Sequence, residues 1–516
     1  MTATRLARAA AIVAVFGLLS RLLGFAREIV LAAAYGTSAV TDAFVNALMI
    51  VNSVAAVLLY TLVTLIIPVF QKERSEHDDH SAWQLISAIA FWTGAGLVVI
   101  SSLVAIWPEV PASFFGLDAA REAQTAELIR IMAPALALQG FSALFTAMLQ
   151  IHGKFAGPAA VGVAFNFGII VGIAVGQSFI GIEAAAWGVA LGATLQVVLQ
   201  LPQFWRLLRA ANVGWRFNHP RVGRVALLAI PVMTTSILQQ INNFTDKFFA
   251  STKEAGEVAA LNFATALGQA PRVALLLPLM TPLFPLIARL MSERRQVEAL
   301  AAFRRVGGLL AVVAVPMAIL LAVNSHEVAQ LAFKRSACGD ECIDRIAPPL
   351  VYYAVALWPA FLNLLINRTI AAANHQRDIL WTTSITVFLT IGLDFLLIGP
   401  MGISGLALAS LIAVSVNTAM LLLLARYRFP PLGLATFARR QVRVAAAGVL
   451  ALVAAIAMEF ALPTEDSGSF ELILPLAVKT LITLGVFVAA ARFLAAPELH
   501  EGRRAVRALI GRRGAG

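Results

Sequence analysis

Charge is scarce in this chain. Asp, Glu, Lys and Arg make up 13% of 516 residues, against 60% hydrophobic residues, and the mean hydropathy is +0.83. That balance excludes a soluble globular fold, which has no use for so much apolar surface. Cysteine is nearly absent. Two residues, Cys338 and Cys342, build neither a disulfide framework nor a four-cysteine zinc site. No P-loop appears, which argues against direct drive by ATP. No lipidation motif appears either. The seven histidines show no metal-ligand spacing, and no nucleophile elbow is present. Covalent enzyme chemistry therefore has no visible carrier. Acids are also few: 28 against 39 basic residues, a net charge of +11. The arginines sit in short loops between apolar runs rather than in a basic soluble fold, which points away from nucleic acid and towards a membrane.

What the chain does have is apolar length. Roughly fourteen stretches of ~20 or more residues are each long enough to cross a ~30 Å hydrocarbon core. The first falls at about 7–35 and the second at about 42–70, with the eighth at about 255–290 and the last two at about 441–462 and 471–495. Arg5 and Arg8 before an apolar run imitate a signal peptide, but no cleavage site follows, so this reads as a retained helix. The fold expected is an all-α polytopic membrane protein of about 14 transmembrane helices.

Loop charge sets the expected orientation. With the N-terminus in the cytoplasm, the inside loops collect Lys72, Arg74, Lys154, the basic connector Arg206–Arg224, Arg294–Arg305, Arg426–Arg443 and the Arg-rich tail. Both termini are then cytoplasmic, because the positive-inside asymmetry holds only for an even number of spans. Cys338 and Cys342 fall in an outside loop, SACGDEC. A disulfide and two free thiols are both open readings there. A metal pair is the weaker one, for want of further ligands.

An internal repeat is visible. GIEAAAWGVALGATLQVVLQL from Gly181 resembles GISGLALASLIAVSVNTAMLLLL from Gly402; His152 answers His375, and Pro68 answers Pro285. This divides the chain into two parallel six-helix lobes at 1–210 and 222–430, a C-terminal helix pair at 438–496 and a basic cytoplasmic tail at 497–516. Parallel repeats are a transporter signature.

The residues that stand out are ionisable groups at membrane depth, which are costly there and mark pathways or partners. Arg21, Arg27 and Glu28 lie in the first span and Asp42 opens the second. Arg21 and Arg27 are six residues apart, ~240° around an ideal helix. A bend at Gly24 would bring both to one cavity. Their forked donors suit phosphate oxygens. Snorkelling, or pairing of Arg27 with Asp42, is the structural alternative. Asp42 reads as a helix cap or as a gate partner. Arg272 and Arg368 are the second-lobe candidates for an anion, and Asn52 adds polar lining. Asp394 reads as interfacial; Lys479 reads as snorkelling or as marking a lipid-facing groove.

Ser20-Arg21-Leu22-Leu23-Gly24-Phe25-Ala26-Arg27-Glu28, then Gly36, then Thr41-Asp42-Ala43-Phe44, with Asn52 and Pro68 beyond, resembles the start of the MurJ/MviN family. Pro271 and the run ending at Leu290 fit as well. The resemblance implies a lipid II flippase of the multidrug/oligosaccharidyl-lipid/polysaccharide exporter superfamily. It implies alternating access in a bacterial inner membrane, driven by the membrane potential or an ion gradient and without a cofactor. It also implies a lipid-linked saccharide as substrate, with cell-envelope synthesis proteins as partners. Arg21 and Arg27 match the family's cavity and gate arginines, and Asp42 matches an acid that helps close the outer gate. The chain departs from the pattern at Ala55, Ala56 and Tyr60–Leu62, and again at Thr265, Ala266 and Gln269, where the family carries charge. A lipid-linked exopolysaccharide unit, or a drug or cation in an antiporter of the same superfamily, is the alternative cargo.

Overall fold

The computed structural model describes residues 3–211, 217–272, 287, 289–291, 293, 295–373, 375–429, 433–462 and 471–494. Its regular structure is helical. In chain order the helices are α1 (Ala3–Tyr35), α2 (Ala39–Glu76), α3 (Asp79–Ile106), the short α4 (Glu109–Ser113), α5 (Ala119–Ile151), α6 (Ala156–Ile180), α7 (Glu183–Ala211), α8 (Val222–Ser251) and α9 (Glu257–Pro271). After the undescribed stretch come α10 (Gln296–Val323), α11 (Ser325–Phe333), α12 (Asp340–Ala372), α13 (Gln376–Met401), α14 (Ile403–Arg428), α15 (Leu434–Ala461) and α16 (Ile473–Leu494).

Among the described residues, 12 helices are long and apolar enough to cross a membrane. The first expected span falls on α1. The eighth falls on α9, whose continuation lies outside the described residues. Helices suit lipid because every backbone group is bonded within the segment. Large side chains stand outward, among them Phe179, Phe460 and Phe493, each more than 80% exposed. In a bilayer those faces meet acyl chains rather than water.

The chain forms two compact units. One comprises residues 1–259 with 336–338; the other comprises 260–335 and 339–516. Because α8 packs along α2, its residues fall in the first of these units.

In the first unit, Ile66 and Phe70 of α2, Trp83 and Ile86 of α3, and Ala143 and Met148 of α5 form a common core. Beside it α6 and α7 approach unusually closely. A Cβ on Gly168 would lie 2.4 Å from the Gly192 Cα, and one on Gly172 would lie 2.5 Å from the Gly188 Cα. Glycines at four-residue spacing let two backbones touch, and dispersion and weak hydrogen bonds replace the hydrophobic drive that lipid cannot supply. That contact fixes α6, which in turn faces α1.

In the second unit, Ala311 and Val315 of α10 pack on Val444, Ala447 and Ala451 of α15 and on Phe487 of α16. The C-terminal helix pair is thus seated on α10.

Two glycines of the aligned segments share one backbone conformation. Gly181, between α6 and α7, has φ 59° and ψ −137°; Gly402, between α13 and α14, has φ 57° and ψ −144°. Such angles are close to a region open essentially to glycine alone. Each glycine donates its N–H back into the preceding helix, Gly181 to Gln177 and Gly402 to Ile398. Of the other repeat pairs, Pro68 lies inside α2, whereas Pro285 is outside the described residues. The proposed tail at 497–516 is outside them too.

Candidate substrate gate

α1 carries the first-span charges and runs unbroken through Gly24. The glycine serves packing rather than a bend. A Cβ there would sit in ordinary contact, 3.6 Å from the Asn166 side chain of α6, so only a side chain larger than alanine would press on α6. Asn166 is nearly buried at 9% exposure. Its Nδ2 donates to the carbonyls of Ser20 (3.2 Å) and Gly162 (2.9 Å). That leaves Oδ1 facing Arg27, whose Nη1 donates to it at 3.2 Å. Arg27 also forms an ion pair through Nη2 with Glu28, its chain neighbour. The guanidinium is therefore fixed by a carboxylate on its own helix and an amide on the next. Its Nε is buried without a hydrogen-bond partner.

Arg21 is placed differently. It is exposed on α1, and among the described residues it makes no hydrogen bond or ion pair. The unbroken helix keeps the two arginines on different faces, so one is held and the other keeps its donors available. Asn166 was not among the residues expected to matter. A lone amide in the apolar run AAVGVAFNFGII is the signal that marks it.

Asp42 is buried at 2% exposure but does not pair with either arginine. Its Oδ2 accepts the Gly256 N–H at 2.6 Å and its Oδ1 accepts the Ala259 N–H at 2.7 Å. It thus caps the start of α9 and not its own helix. A carboxylate on exposed first-turn amides satisfies donors that have no intrahelical partner and opposes the helix dipole. Lys247 and Arg121 lie close enough to act on it electrostatically. One turn on, Asn46 donates to Ser251 Oγ at 3.1 Å, tying α2 to α8.

Gly36 of the same motif has φ +61°, and a Cβ there would fall 2.5 Å from the Ala337 carbonyl oxygen. Ala337 in turn donates to the Ala33 carbonyl at 3.1 Å. Neither Cys338 nor Cys342 is free; they are disulfide-bonded. Asn52 is half-buried on α2. Arg272 and Arg368 belong to the other unit and are exposed there.

Two expectations need correction. Asp394 is fully buried on α13, at 0% exposure, not interfacial. Lys479 does not snorkel. It is 2% exposed, and its Nζ donates to Glu459 of α15 at 2.7 Å and to Glu327 of α11 at 3.1 Å. Acids on two other helices hold it inside, so its charge has no need of the membrane surface.

The family model described as "Lipid II flippase MurJ" matches residues 31–476. A protein of Rhizobium meliloti named "Probable lipid II flippase MurJ" is 29% identical over 417 residues, covering 78% of this chain and 77% of the relative. Among solved structures, "Lipid II flippase MurJ, inward closed conformation" matches with a TM-score of 0.79 at 18% identity, over 95% of this chain and 100% of that one. An inward-facing multidrug resistance MATE transporter of the MOP superfamily matches with a TM-score of 0.67 at 14% identity, over 80% of this chain and 95% of that one. At such identities the two structures establish a shared fold alone.

Proposed function

The chain belongs to the lipid II flippase MurJ family, and we propose that it moves lipid II from the inner to the outer leaflet through the arginines of α1. It is a multi-pass membrane transporter whose substrate is a lipid-linked saccharide. The matched stretch begins after Arg27, so the arginine roles rest on the residues themselves. The observation that carries them is the contrast within α1: Arg27 is fixed by Glu28 and Asn166, while Arg21 is exposed with its donors unspent.

A guanidinium with free forked donors suits the pyrophosphate of the cargo. Arg21 takes the anion. Arg27 holds α1 on α6, so that the Arg21 face stays where the anion arrives. Asp42 ties the start of α2 to the start of α9 at the outer gate. Alternating access is driven by the membrane potential or an ion gradient. Both termini lie in the cytoplasm, as loop charge favours, and cell-envelope synthesis proteins are the natural partners. An antiporter for a drug or cation needs a deep acid that water reaches. Asp42 and Asp394 are both deep, but Asp42 is committed to two amides and Asp394 is closed to water at 0% exposure, which favours the flippase reading.

The test is translocation in vesicles or spheroplasts with Arg21→Ala and Arg27→Ala at matched protein levels. Both should stop flipping while the protein still accumulates. Wild-type rates in both would remove the site assignment and leave the family assignment standing.

A further inference from the structure

The first unit has a second concave feature, away from α1. Helices α3, α5 and α7 leave an open groove of ≈ 720 Å³, within the ~300–1,000 Å³ usual for a bound small molecule. Its floor is aromatic: Phe145 of α5 stacks on Phe204 of α7 at 4.1 Å. Gly94 of α3 keeps it open, since a Cβ there would meet Phe141 at 2.9 Å. The lining is apolar apart from Ser87 and Arg209, and the Ser87 hydroxyl is turned to the Gln84 carbonyl at 2.8 Å.

Arg209 stands at the end of the groove where α7 terminates. Its Cζ lies 5.4 Å from the centroid of the Trp205 ring, a cation–π contact that places the guanidinium while leaving its N–H donors available. Arg74 and Arg221 of the same unit are neutralised, by Asp79 and Glu73. Arg209 is in no ion pair among the described residues.

We propose that this groove is a binding site for an anionic phospholipid, with one acyl chain along α3 and α5 and the phosphate on Arg209. Two observations select that occupant. The groove is exposed on helices that cross a membrane, so the molecules that reach it are lipids, and its walls offer a hydrocarbon chain nothing polar to desolvate. The one free charge at its mouth is a guanidinium, which prefers phosphate oxygens to a zwitterionic head whose own cation repels it. The site is separate from the arginines of α1 and independent of which cargo the protein carries.

The experiment uses the full chain in nanodiscs holding either phosphatidylglycerol or phosphatidylcholine with a photoreactive acyl chain, followed by peptide mapping. Labelling of α3 and α5 should favour phosphatidylglycerol about fivefold, the factor expected of one basic side chain. Arg209→Gln, a change at an exposed position, should remove the preference and keep the labelling. Gly94→Trp should block labelling by both lipids. Equal labelling by the two lipids in the wild-type protein would overturn the proposal. So would a preference that survives Arg209→Gln. Displacement of the label by a polyprenyl phosphate at lower concentration than by phosphatidylglycerol would also overturn it, assigning the groove to the cargo's chain.

Discussion

Arg27 of α1 and Asn166 of α6 are joined by a 3.2 Å hydrogen bond, a partner that Arg21 lacks among the described residues. Asn166 is itself fixed by two backbone carbonyls of α1 and α6. It therefore presents an acceptor to Arg27 and nothing else. Asn166→Ala should leave the Arg27 guanidinium with Glu28 alone. Loss of a hydrogen bond to a charged group is worth ~1.5–3 kcal/mol, so flipping should fall by at least ~10-fold. Asn166→Asp keeps an acceptor and should retain more activity than Asn166→Ala. Rates measured at matched protein levels check the order.

The repeat makes a prediction about the backbone alone. Gly181 and Gly402 share their angles, and a Cβ on either meets nothing within 4 Å. Alanine at either site should cost ~1–3 kcal/mol of backbone strain without a clash. The two costs should match. Thermal unfolding of Gly181→Ala and Gly402→Ala in the same detergent checks this. Gly36→Ala should cost more, because its Cβ also collides with the Ala337 carbonyl.

Lys479 and Glu327 are buried together, and the partly exposed Glu459 completes a triad with them. Removing the cation leaves two carboxylates facing each other, so Lys479→Met should destabilise the protein by ~3–5 kcal/mol. Replacing all three, with Glu327→Gln and Glu459→Gln added, should recover most of that loss, since an apolar or neutral set of the same volume is often no less stable. Denaturant melts of the single and triple variants separate the outcomes.

These three cases show how much was legible. Apolar length gave the helical class, because it is a one-dimensional signal. The turns at Gly181 and Gly402 were legible because glycine at a positive φ leaves a mark in the sequence. The arginine motif pointed to a stretch of α1 where Arg27 is held by Glu28 and Asn166. What it did not disclose was partner choice. Asp42 reads as a partner for Arg27, yet it binds Gly256 and Ala259, more than 200 positions away. Lys479 reads as a surface-seeking cation because nothing nearby in sequence resembles an anion. Its acids arrive on α11 and α15 only once the second unit has packed. Long-range pairing of single charges has no periodicity to betray it.

A pH effect follows in the loop before α5. Asp118 accepts the Arg121 backbone N–H at 2.9 Å and its Nε at 2.6 Å, which hold its carboxyl below the usual carboxylate range. A folded pKa below the unfolded ~3.9 gives support that is complete above that value and lost as pH falls through the folded one. Arg121 also donates to the Lys253 carbonyl at 3.2 Å, so this loop should loosen on acidification. Amide exchange in the first turn of α5, taken relative to the intrinsic rate at each pH, should rise as pH is taken below ~3.9. Asp118→Asn should already exchange faster at neutral pH.

The central claim is that this chain flips lipid II and uses Arg21 to do so. The direct measurement is the leaflet distribution of lipid II in a bacterium depleted of its own flippase and supplied with this protein. Wild-type protein should return lipid II to the outer leaflet and restore growth, while Arg21→Ala, present at the same level, should leave it on the inner side. Lipid II that stays inside with the wild-type protein present, or flips equally well with Arg21→Ala, would contradict the account.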